Sequence, residues 1–230
     1  MIILNIETST NVCSIAISEN GNCIFTKSDA DGMNHAALLS VFIAEGMEVL
    51  KSQAKKLDAV AVSSGPGSYT GLRIGVSTAK GLCYGLDIPL IAVSTLEVLA
   101  VKALNQADKA ENTLFCPMID ARRMEVYAAF YNANGEIQRE IQADIIDENS
   151  YSEILENHQV YFFGNGAEKC KTTLTHPNAR FIDNLVPLAE NMISLAEKRF
   201  EEKIFEDVAY FEPFYLKEFY TTAVKQTPNP

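Results

Sequence analysis

The sequence predicts an α/β fold of two duplicated mixed-sheet units, the second reduced. Three observations carry that reading. Apolar runs of strand length alternate with longer helical stretches. Two Asn-Gly turns, each between strand-like runs, lie 114 residues apart, at Asn20-Gly21 and Asn134-Gly135. Two acid-led polar turns, at Glu7 and Asp120, lie 113 residues apart, whereas two glycine loops, at Gly65 and Gly164, lie only 99 apart. The order strand, strand, strand, helix, strand therefore occurs twice, and the second copy has lost residues around its first helix.

The elements follow in order. Ile2 to Ile6 is a short β-branched run suited to a buried strand, and Glu7 to Asn11 is a polar turn. Val12 to Ser18 alternates and reads as a second strand; after Asn20-Gly21, Cys23 to Lys27 is the third. A helix is predicted from about Asn34 to Ser52, then a strand over Leu57 to Ser63. A glycine-rich loop opens a helix running to about Tyr84, Pro89 to Val93 is a strand, and Ser94 or Thr95 caps a helix ending near Asn105. Asn105 to Asn112 is polar and marks a boundary between units 1–107 and 108–230. In the second unit Leu114 to Ile119, Glu125 to Tyr131 and Glu136 to Gln142 are strands. Ser150 to Asn157 is a short helix with Ser150 as cap, and Gln159 to Phe163 is a strand ending in Gly164-Asn165-Gly166-Ala167.

Hairpin-linked strands followed by parallel strands through crossover helices make a mixed sheet, and a pair of such sheets is the architecture of the actin-like ATPase (ribonuclease H-like) fold. A dinucleotide-binding sheet is the competitor, but it would open with one strand and a glycine loop, not with two strands joined by Asn-Gly.

Composition narrows the function. The 230 residues hold 19 Lys plus Arg and 30 Asp plus Glu, a net charge of −11. Such acidity argues against a chain that grips nucleic acid alone or docks on an anionic membrane. No apolar run spans a bilayer and no signal peptide is visible, so a cytoplasmic protein is expected. The five cysteines form no C-x-x-C pair, which reads as reduced, mostly buried thiols. H-E-x-x-H and G-x-S-x-G signatures are missing, and no motif supports a zinc site.

Two helices stand out. The helix from Asn34 to Ser52 is apolar nearly all round and includes Leu39, Phe42 and Ile43, more than one buried face needs. In the next helix Gly71, Gly75 and Ala79 recur every four residues and form a small-residue face, at a cost of about 0.5–1 kcal/mol per glycine relative to alanine. Close approach of another helix would explain it, within this chain or from a partner; a partner interface is the favoured expectation. His35 is expected at the helix start or the interface, with Arg73 and Lys80 pairing with partner carboxylates.

Glu7 and Ser9 sit where an actin-like ATPase puts its first phosphate loop. Gly65 and Gly67 lie at a helix start able to bind an anion. Asp120 and Arg122 occupy the second loop position, where bulky arginines obstruct backbone wrapping. Gly164 and Gly166 lie where such a fold meets the adenosine. These eight residues are the candidate nucleotide- or anion-facing set, although a working ATPase cleft is not expected. The aromatic run from Phe205 through Phe219 and Tyr220 reads as packing of the C-terminal segment on the core, and Thr227 to Pro230 as a loose tail.

Ile6-Glu7-Thr8-Ser9-Thr10, His35 heading the long helix, and above all Ser63-Ser64-Gly65-Pro66-Gly67-Ser68-Tyr69-Thr70-Gly71-Leu72-Arg73-Ile74-Gly75 resemble the bacterial TsaB (YeaZ) family. The resemblance is close in the first half. It continues more loosely through Asp120-Ala121-Arg122-Arg123, Gly164-Asn165-Gly166 and Pro213-Phe214-Tyr215-Leu216. It implies a non-catalytic scaffold in making N6-threonylcarbamoyladenosine at position 37 of tRNAs that read codons beginning with adenine. The implied partners are a TsaD-type catalytic subunit, a TsaE-type ATPase and a second copy, with tRNA contacted only indirectly. The helices over 34–52 and 70–86 are the implied contact, no cofactor is expected on the isolated chain, and ATP or ADP would sit at the partner interface. The alternatives are a free-standing actin-like ATPase or kinase and, third, a metallopeptidase.

Overall fold

The computed structural model describes residues 1–30, 32, 34–106 and 112–216. Phe219, Tyr220, the tail from Thr227 and the expected boundary at 107/108 lie outside the described residues.

The first unit comprises β1 (Ile2–Glu7), β2 (Cys13–Glu19), β3 (Asn22–Asp29), α1 (His35–Ser52), β4 (Ala59–Gly65), α2 (Tyr69–Leu86), β5 (Leu90–Ser94) and α3 (Thr95–Leu104). The second comprises β6 (Thr113–Asp120), β7 (Glu125–Asn132), β8 (Ile137–Ile145), α4 (Ser152–Asn157), β9 (Gln159–Phe163), β10 (Ala179–Ile182) and α5 (Ile193–Glu201), with 3-10 turns at Glu168–Cys170 and Ala189–Met192. The sheets run β3-β2-β1-β4-β5 and β8-β7-β6-β9-β10, one order used twice. In each sheet the first three strands are antiparallel and the last two join in parallel. The duplicated mixed-sheet architecture expected from the sequence is the one found.

Local chemistry explains the boundaries. Asn20 and Gly21 both take positive φ, 46° and 79°, so the first hairpin is the tight two-residue turn its sequence signals. In the second hairpin only Gly135 is left-handed, and the Asn132 side chain accepts from the Asn134 and Glu136 amides, which makes a longer loop. Ser94 caps α3 in a capping box with Glu97. Ser150 does not cap α4. Tyr151 holds that position, and the Ser150 hydroxyl accepts instead from the Asp147 amide.

Strand alternation splits each core into two faces. Leu4, Ile6, Ile15, Ile17, Val60 and Val62 meet α1 and α2 on one face of the first sheet. On its other face Ile3, Ala61, Ile91 and Val93 meet Met192 and Ala196, from the turn before α5 and from α5 itself. Leu96, Leu99 and Ala103 of α3, in turn, pack on Phe115, Ile119 and Phe163 of the second sheet. The closing helix of each unit thus covers the sheet of the other, and the Arg199–Glu97 ion pair at 2.7 Å joins the two helices.

Candidate functional site

β1 delivers Glu7 fully buried, with Oε1 accepting from the Ser9 amide at 2.6 Å and the Ser63 hydroxyl at 3.1 Å. Burial pushes its carboxyl above the ordinary value of 4.5, against hydrogen bonds from Ser9 and Ser63 that pull the other way. Its Oε2 has no hydrogen-bond partner. The turn after Glu7 is sewn to the start of α2: the Ser68 amide donates to the Ser9 carbonyl at 2.6 Å and the Thr8 hydroxyl to the Gly71 carbonyl at 2.8 Å. Ser68 caps α2, its hydroxyl accepting from the Gly71 amide.

This seam accounts for the glycines. A Cβ on Gly67 would lie 2.3 Å from the Ser9 carbonyl oxygen, on Gly71 2.1 Å from that of Thr8, and on Gly75 2.3 Å from the Thr8 hydroxyl. Ala79 continues the stripe, fully buried against the sheet. The small residues let α2 press on this chain's own first strand and turn, not on a partner helix. The expectation for Gly71, Gly75 and Ala79 is corrected accordingly.

The rest of the expected interface divides. Leu39, Phe42 and Ile43 are buried on the inward face of α1, in the core of this chain. Lys80 donates to the backbone carbonyls of Ala209 and Phe211 at 3.1 and 2.8 Å, so it clamps the chain's own C-terminal segment. His35 ties the head of α1 to the turn after β1, its Nε2 donating to the Thr10 carbonyl at 2.9 Å. Only Arg73 stands on the outer surface, where it donates to the Tyr69 hydroxyl at 2.8 Å and lies over its ring. The spacing rule identified the small stripe but could not say which side faced in. The outer face holds Val41 of α1 at 50% exposure and Ser77, Gly81, Tyr84 and Gly85 of α2, with Tyr84 87% exposed. A Cβ on Gly81 or Gly85 would meet nothing within 4 Å. The same four-residue count, shifted round the helix, could have found them.

The second unit gathers Asp120, Arg122, Gly164 and Gly166 into one knot. The Asp120 amide donates to Asn165 Oδ1 at 3.0 Å, its carboxylate accepts from the Arg122 amide, and Lys169 pairs with it. Gly164 and Gly166 permit close approach to β6: their Cβ atoms would fall 2.4 Å from the Met118 carbonyl oxygen and 2.9 Å from Ile119. Arg122 and Arg123 are exposed and both left-handed. Among the described residues no group of three His, Cys, Asp or Glu stands together as a metal site, and no helix is long and apolar enough to cross a membrane. The five thiols are free; four are buried and Cys23 is exposed.

Residues 30–224 match the family model of TsaD, tRNA N6-adenosine threonylcarbamoyltransferase. The chain is 30% identical over 226 residues to the tRNA threonylcarbamoyladenosine biosynthesis protein TsaB of Escherichia coli, covering 94% of this chain and 95% of that one. It belongs to the TsaB (YeaZ) family. The TsaB of Haemophilus influenzae is 28% identical, with 94% and 93% covered. The solved structure of YeaZ from Pseudomonas aeruginosa superposes with a TM-score of 0.77 at 26% identity, with 94% of this chain and 99% of that one covered. Family and topology together establish the actin-like ATPase fold.

Proposed function

We propose that this chain is a non-catalytic subunit that supports threonylcarbamoyl transfer to N6 of adenosine 37 in tRNAs reading codons that begin with adenine. It acts by pairing with a TsaD-type catalytic subunit through the outer faces of α1 and α2. Family membership supplies the pathway. The observation that carries the non-catalytic role is the seam at Glu7 to Ser9. Where an actin-like ATPase opens its first phosphate loop, this chain brings Ser9 and Thr8 into direct contact with the head of α2. The turn is bonded to the head of α2 through its own backbone, which supports a loop closed against phosphate, and Glu7 beneath is sealed from solvent.

The outer faces suit a protein contact. Val41 and Tyr84 are apolar and aromatic anchors, and the open glycines at 81 and 85 let a partner helix come near. The same surface serves a homodimer. The net charge of −11 fits a subunit that leaves tRNA to its partner. A TsaE-type ATPase joins the assembly, and ATP or ADP is held there and not by this chain alone.

The test is reconstitution of tRNA modification from a TsaD-type and a TsaE-type subunit, with and without this chain. Val41→Arg and Tyr84→Arg are surface changes expected to keep the fold by circular dichroism while abolishing both pairing and stimulation. Full stimulation by both variants would overturn the interface. Modification that proceeds equally without the chain would overturn the role.

A further inference from the structure

The segment after α5 leaves the second unit and straps across the first. Its Glu206 amide donates to the Leu90 carbonyl at 2.9 Å, and its Phe214 amide donates to the Ser64 carbonyl at 2.7 Å. Gly65, at φ 114°, makes room for the strap, since a Cβ there would fall 2.8 Å from the Phe214 carbonyl oxygen. Tyr215 packs its ring 5.1 Å from that of Tyr69. With Lys80 holding two further carbonyls, the strap is fixed at several points along its length.

Between the strap, the ends of β4 and β5 and Ile141 of β8 runs a groove of about 620 Å³. That volume lies within the range of built ligand sites. Ile141, Phe211, Phe214 and Tyr215 give it apolar walls. Two carboxylates line it as well, Glu206 and Glu212. Neither forms an ion pair or a side-chain hydrogen bond among the described residues. Among the described residues, Lys80 bonds backbone carbonyls and Arg73 bonds Tyr69. An open apolar groove with two acids that are unpaired among the described residues suits a cation on an apolar stem.

We propose that this groove is a docking site for an extended segment of a protein partner that carries arginine or lysine between apolar residues, its cation held by Glu206 and Glu212 and its apolar neighbours by Ile141 and Phe214. The groove and the outer face of α2 share the strap, since Lys80 donates to the carbonyl of Phe211, a groove residue; the site does not depend on which subunit pairs with that face.

The experiment measures fluorescence anisotropy of a labelled heptapeptide, Gly-Leu-Arg-Leu-Arg-Leu-Gly, with the full chain. The double variant Glu206→Gln/Glu212→Gln should weaken binding by about tenfold, the scale of one lost charge-assisted contact. Glu153→Gln/Glu156→Gln removes the same charge from the exposed surface of α4 and should leave affinity unchanged. Equal loss in both double variants means attraction to an acidic protein in general, and overturns the site. A peptide with serine in place of each leucine should bind at least about tenfold more weakly; equal binding overturns the apolar half of the recognition. No binding by the full chain, the outcome if residues 217–230 or a second copy already fill the groove, overturns the proposal too.

Discussion

The two units share a strand order but not a coat. On the outer face of the first sheet lie α1 and α2, 18 residues each. At the matching positions the second unit has α4, six residues, and a three-residue 3-10 turn. There Leu155 of α4, Ala167, Cys170 and Leu174 pack against Phe130 and Phe162 of the sheet, and Tyr151 adds a ring. Tyr151 stacks on Phe162 with centroids 5.8 Å apart and meets Phe130 edge-on at 5.0 Å, while the Arg139 guanidinium lies over both Phe130 and Tyr151 and pairs with Asp144. The difference teaches that a sheet face can be covered by two long helices or, more thinly, by a short helix, a 3-10 turn and one large ring. The helical coat presents a second, outward side on which Val41 and Tyr84 are exposed.

That contrast can be broken at its tightest point. Gly75→Val forces methyl groups into the Thr8 hydroxyl and should cost about 3 kcal/mol or more, read as a fall in the urea midpoint. On the same helix Gly81→Ala meets nothing and should gain about 0.5–1 kcal/mol. If both glycines respond alike, α2 does not have the inner and outer faces described. Next in size is the aromatic coat. Arg139→Ala leaves Asp144 without its cation and two rings without their cap, and should cost about 2 kcal/mol, less than a fully buried pair because both side chains keep some exposure. An unchanged thermal midpoint would mean that the rings alone cover the sheet.

The smallest effect concerns the acids at the two turn positions. Asp120 is exposed and paired with Lys169, whereas Glu7 is sealed. Because burial raises the Glu7 pKa above 4.5, the folded chain holds that proton more tightly than the unfolded chain. The resulting stabilisation is full below 4.5 and is lost as pH climbs through the raised value. Glu7→Gln stays neutral throughout, so its stability relative to the parent should improve as pH rises, by about 1 kcal/mol per unit across that window. Parallel stability–pH curves for parent and variant would show that Glu7 does not titrate with folding.

Much of this comparison was legible in the sequence, for physical reasons. Strand order followed from alternation and from two Asn-Gly turns, because both signals are local. The four-residue recurrence of Gly71, Gly75 and Ala79 correctly marked a close approach. Its direction was not legible, since the neighbour is Thr8, 63 residues from Gly71, and helical periodicity says nothing of what lies opposite. The apolar excess of α1 divides between two sides that periodicity alone does not separate. Leu39, Phe42 and Ile43 satisfy one core, while Val41 on the same helix faces water. Lys80 was beyond reach, because its partners are backbone carbonyls of a segment about 130 residues on. β10 and α5 went unread: four residues of weak pattern make the one, and the other buries only Ile193 and Ala196.

The crossing-over of the closing helices has a consequence for how the chain comes into being. Once residue 94 has been synthesised, all five strands of the first sheet exist, yet the side of that sheet carrying Ile3, Ala61, Ile91 and Val93 still lacks Met192 and Ala196. The second sheet cannot bury Phe115 and Phe163 without α3, which the first half supplies. Neither half is a complete folding unit, so a nascent chain must carry a bare apolar surface until α5 leaves the ribosome, and the finished protein should melt in one cooperative step.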